Sequence, residues 1–68
     1  MRFKEGEVYR HKYFSQGNES YYMILTSRLR YGSYEITAMD LQTGGNVLLT
    51  IGQLNEREFT KLENPDDV

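Results

Sequence analysis

Turn-forming residues punctuate this chain at short intervals: Gly6, Gly17-Asn18, Tyr31-Gly32-Ser33, Thr43-Gly44-Gly45-Asn46 and Gly52. The segments between them run from five to twelve residues and are rich in Tyr, Val, Ile, Thr and Leu, residues that suit a pleated, half-buried surface. Short strands with regular punctuation predict an all-β domain. Glu7 to Tyr13 alternates, with Tyr9, His11 and Tyr13 on one face and Val8, Arg10 and Lys12 on the other. Tyr21 to Arg28 opens with five residues that are apolar on both faces, as in a central strand. Tyr34 to Leu41 starts as a clean alternation. Its pattern then slips at Met39 and Leu41, which predicts a bulge or strand end near Met39.

Thr43 to Asn46 supplies the glycines of a tight hairpin, and Val47, Leu49 and Ile51 alternate in the strand after it. Leu54 to Glu58 is the one stretch with helical character, and it is a single turn. Asn55 is its expected cap, with Glu58 three residues on as in a capping box. Phe59 to Leu62 reads as a last short strand.

This order of elements resembles the small barrels of the Src-homology-3 type. Gly6-Glu7-Val8-Tyr9 opens the first strand, a polar loop follows from Phe14 to Ser20, three strands meander, and Leu54 to Leu62 carries a helical turn into the final strand. More narrowly, Gly6 with Tyr9-Arg10-His11 resembles the opening of an uncharacterised family of short bacterial and phage barrels. The resemblance implies a five-stranded SH3-like barrel with one short helical turn before the last strand, and it implies no activity. Related barrels that cleave RNA are longer, and no acid–base constellation of that kind stands out in these residues.

The chain has 68 residues, so the expectation is one domain over residues 1–62 and a frayed acidic tail over 63–68. Net charge is −2, but three of the ten acids, Glu63, Asp66 and Asp67, lie in that tail. The body is nearly neutral, which argues against a dedicated nucleic-acid binder. Cysteine is absent, so neither disulfides nor a thiolate zinc site can staple the fold. No motif implies a cofactor: neither phosphate-loop glycine pattern is present, and His11 is the single histidine. A catalytic His needs an orienting partner and a pocket. The expectation is therefore a strand residue packed beside Tyr9 or Tyr13 with one ring nitrogen hydrogen-bonded. No apolar run is long enough to span a bilayer, and the first residues lack a secretory stretch. A soluble, cytoplasmic protein is expected, in the host cytoplasm if phage-encoded.

Six tyrosines and three phenylalanines exceed what so small a core needs. Phe3, Tyr9, Tyr22, Tyr34 and Phe59 are expected to be at least half buried, and Tyr13, Phe14, Tyr21 and Tyr31 to be more exposed. Arg28 and Arg30 alternate beside Tyr31, as Arg10 and Lys12 do on the first strand. Adjacent first and second strands would merge them into one basic, tyrosine-edged stripe. Arg10, Lys12, Tyr13, Arg28, Arg30 and Tyr31 are thus the candidate binding residues, because Arg with an aromatic ring builds protein hot spots and also stacks on bases. The functional expectation is a small non-enzymatic binding module, an accessory or phage-type regulator or inhibitor docking on a larger protein partner. The alternative is a nucleic-acid- or ribosome-associated barrel. A monomer or weak homodimer fits either.

Overall fold

Five strands form where the alternation predicts them. The computed structural model describes residues 2–12 and 19–63. The strands are β1 (Val8–Lys12), β2 (Glu19–Arg30), β3 (Ser33–Asp40), β4 (Asn46–Ile51) and β5 (Phe59–Lys61), with a 3-10 turn at Glu56–Glu58 just before β5. All neighbours are antiparallel, in the order β4-β3-β2-β1-β5. Tyr13, Phe14 and the tail beyond Glu63 lie outside the described residues.

The sheet does not close, and this corrects the SH3-like barrel. β4 and β5 are its two edges and do not pair with each other. The three residues of β5 pair with β1, through Tyr9↔Lys61, Arg10↔Thr60 and His11↔Phe59. The other side of β5 meets no strand among the described residues. The periodicity of turns specifies strands and their neighbours in sequence, but it is silent on whether the first and last edges of a sheet meet.

What covers the inner face instead is the N-terminal segment. Phe3, Tyr9, Ile24, Ile36, Ala38, Ile51 and Phe59 form one buried cluster, with Tyr22, Tyr34, Val47 and Leu49 packed against it. The ring of Phe3 sits 4.5 Å from Tyr9, 5.0 Å from Tyr34 and 5.8 Å from Phe59, so one residue outside the sheet bridges strands across it. Arg2 holds this plug down. Its guanidinium lies over the rings of Phe3 and Tyr9 and donates to the Phe59 carbonyl at 2.7 Å. The five aromatic residues expected in the core are all buried or half-buried.

Of the two alternatives expected near Met39, the strand end holds, since β3 stops at Asp40, and the bulge lies elsewhere. β3 keeps its alternation, and the register shift falls on β2, between Ile24 (opposite Ala38) and Thr26 (opposite Thr37). Leu25 is the extra residue. Met39 is apolar for another reason: it pairs with Met23, which pairs with Val8, forming an apolar row across three strands on the outer face. Asn55 also departs from its expected role. Its side chain makes no forward cap. Instead Oδ1 accepts the Gly52 N–H at 2.8 Å, closing the turn out of β4.

Candidate binding surfaces

The structure splits the described candidate residues into two groups at opposite ends of β2. Arg10 stands opposite Tyr21 and Lys12 opposite Glu19, whereas Arg28 and Arg30 pair only with β3. β1 follows β2 no further toward the hairpin than Met23. Tyr21 and Arg28 are seven residues apart, roughly 20 Å along a strand. The single basic stripe therefore does not form. Near β1, Lys12 Nζ is 3.9 Å from Glu19 Oε1, and the Tyr21 hydroxyl donates to Glu19 Oε2 at 3.1 Å. That hydrogen bond to a carboxylate raises the Tyr21 hydroxyl above its ordinary pKa. Tyr21 is half-buried rather than displayed. Tyr13, also a candidate, is outside the described residues.

The other end is the tip of the β2–β3 hairpin. Arg30 pairs with Ser33, leaving Tyr31 and Gly32 as a two-residue loop. Both have positive φ, 51° and 77°, the pattern of a type I′ turn. Glycine meets that demand freely, but tyrosine does not: a side chain in the left-handed region costs about 1 kcal/mol or more. Tyr31 is nevertheless 92% exposed, so its ring recovers little through burial. The Arg30 guanidinium stands 5.3 Å from the centre of that ring, and Leu29 beside it is 53% exposed. Arg28 is engaged by Glu35, donating from Nη2 at 2.8 Å and from Nε at 3.3 Å. The same contact holds the Glu35 carboxyl below the usual carboxylate range, with Arg30 adding a smaller pull.

Along the outer face below the tip runs a shallow groove of about 480 Å³, bordered by Thr26, Arg28, Glu35, Thr37, Leu48 and Thr50. Leu48 on its rim is 84% exposed, and Leu54, just past the end of β4, is 94% exposed. Exposed large apolar side chains among the described residues thus gather at two places: the hairpin tip and the β4 edge. The residue patterns marked the first. They missed the second, because Leu48 reads as an ordinary member of an apolar strand.

His11 is 5% exposed and lies flat on Phe59, with ring centres 4.1 Å apart and planes within 9°. Its Nε2 is 3.1 Å from Glu58 Oε1. Among the described residues it stacks on Phe59, and it ties β1 to the 3-10 turn; the expected neighbour Tyr13 lies outside the described residues. No group of three or more His, Cys, Asp or Glu among the described residues is placed to hold a metal ion. No helix among them is long and apolar enough to cross a membrane. Comparison with known proteins found no matching family model, no similar curated protein and no similar solved structure.

Proposed function

We propose that this chain is a small protein-binding module that docks on a larger protein through the β2–β3 hairpin tip. Tyr31 is the anchor, with Arg30 and Leu29 beside it. The observation that carries this reading is the misfit at Tyr31: a bulky ring held at φ 51° and left 92% exposed, where an Asn would relieve the turn. Backbone strain kept at an exposed aromatic points to recognition rather than folding. Tyr and Arg are also the side chains that most often dominate protein interfaces, because each buries a large area with few degrees of freedom. The nucleic-acid reading has less support. Lys12 and Arg28 already face carboxylates, and the basic residues are divided between two ends of the sheet.

The test is affinity capture from a lysate of the source cells with wild-type protein and with Tyr31→Asn. Asn fits the turn, so the variant folds at least as well as the parent. A stoichiometric protein held by the wild type and lost by Tyr31→Asn supports the proposal. Identical captured sets overturn it.

A further inference from the structure

The two edges of the sheet are built differently. β5 has three residues, one of them Lys61, whose Nζ pairs with Glu7 Oε2 at 3.0 Å. A short, charged edge of this kind is protected against pairing with another strand. β4 has six residues, Asn46-Val47-Leu48-Leu49-Thr50-Ile51, with no charge and no proline. Nothing in its sequence blocks a further strand.

Its backbone is also oriented to accept one. The Asp40 N–H donates to the Gly45 carbonyl at 2.8 Å, and the β3–β4 register continues from there without a shift. Antiparallel alternation then assigns the ladder bonds with β3 to Val47, Leu49 and Ile51. It turns the N–H and C=O groups of Asn46, Leu48 and Thr50 to the open side, where the Thr50 carbonyl already accepts Asn55 Nδ2 at 3.4 Å and keeps its second lone pair for a partner strand. Those same three residues are the exposed ones of the strand, and Leu48 lies at their centre.

We infer that β4 is the interface for a second copy of this chain, paired antiparallel about a two-fold axis that places Leu48 opposite Leu48 of the partner. This register sets Asn46 against the partner's Thr50 and joins the two sheets into one of ten strands. It keeps each face of the sheet on its own side, as a two-fold axis normal to the sheet requires. An uncharged edge offers no complement to an acidic or basic peptide. The nearest outer-face charges, Arg28 and Glu35, neutralise one another within the same copy, so a second copy brings no like charges together. Two six-residue edges bury less than the roughly 1,200 Å² at the lower limit of stable interfaces, so the dimer is reversible. The contact is isologous and leaves only the protected β5 edges outside, so assembly stops at two copies.

The experiment measures mass in solution against concentration, by sedimentation equilibrium from about 10 μM to about 1 mM. Wild type is expected to move from 8.0 kDa toward about twice that mass. Leu48→Lys and Leu48→Asp each put like charges face to face on the axis, and each is expected to stay monomeric. An equimolar mixture of the two is expected to recover the dimer, because the lysine introduced in one copy then faces the aspartate introduced in the other. Thr60→Lys on the β5 edge is the control and leaves association unchanged. Amide exchange on the wild type reads the register without any substitution: protection at Asn46, Leu48 and Thr50 rises with concentration. The inference is overturned by a wild-type monomer at the top concentration. It is equally overturned by a dimer indifferent to Leu48→Lys, or by a mixture that does not recover association. The hairpin tip takes no part in these measurements, so their failure leaves the proposal for Tyr31 standing or falling by itself.

Discussion

Glu7 joins three segments through one carboxylate. Oε1 accepts the Lys4 N–H at 2.8 Å and the Tyr9 hydroxyl at 2.9 Å, and Oε2 faces Lys61 Nζ at 3.0 Å. The Tyr9 oxygen in turn accepts the Phe3 N–H at 2.8 Å, so the carboxylate helps hold the N-terminal plug against the sheet. Burial pushes the Glu7 carboxyl up, but the Lys4 N–H, Lys61 and Tyr9 together outweigh it and bring the pKa from 4.5 down to about 2. A carboxyl whose folded pKa is depressed stabilises the fold above its unfolded pKa and loses that contribution as pH falls through the folded one. The expected outcome is a loss of stability between about pH 4.5 and pH 2. The group keeps some contact with water, so its amplitude is discounted to about 1–2 kcal/mol. Urea melts across that range check it, and Glu7→Gln should flatten the pH dependence there while lowering stability at neutral pH.

The two hairpins show how turn chemistry was and was not legible at the level of elements. Tyr31-Gly32 and Thr43 to Asn46 were both readable as turns, because glycine at fixed offsets between β-rich runs has few other uses. The β3–β4 turn closes with the Gly44 N–H on the Asp40 carbonyl at 2.7 Å, and Gly44 holds φ at 78°. Gly44→Ala is expected to cost about 1 kcal/mol, because open space around the position does not relieve its backbone strain. Thermal melts should show it as a drop of several degrees. Tyr31→Asn is expected to move stability the other way, by up to about 1 kcal/mol, since Asn tolerates the left-handed region. The same variant should abolish partner capture, and that opposition of sign separates a binding residue from a structural one. The bulge was not legible. Met39 broke the alternation of β3, but the break belongs to an apolar row with Val8 and Met23 on the outer face. Which strand carries an extra residue depends on its neighbours' registers.

For the whole molecule, the open sheet makes the inner face depend on a residue outside it. Phe3 has 0% exposure and touches three other aromatic rings, from β1, β3 and β5. Truncating a buried phenylalanine costs about 3–5 kcal/mol, which is as much as a core of this size supplies in total. Phe3→Ala is therefore expected to lose cooperative unfolding at room temperature, checked by near-ultraviolet circular dichroism and amide dispersion. The open edge has a second consequence. Closure would have paired the outward backbone groups of β4 with β5; left open, those of Asn46 and Leu48 face outward, and this is the edge proposed above to pair with a second copy.

The amino-acid sequence by itself determined the elements of this protein. Glycine placement and two-residue alternation dictate where strands begin, turn and end, and they select the buried aromatics, because these are local consequences of backbone sterics and of side chains alternating across a pleat. Tertiary structure decided what the elements do together. Whether the sheet closed was set by whether its two edges, β4 and β5, came together, and they do not pair. Whether Arg10 and Lys12 met Arg28 and Arg30 was set by the antiparallel register of β1 on β2, which carries Arg10 and Lys12 away from the hairpin tip. Both depend on contacts between residues distant in the chain, and local patterning carries no term for them.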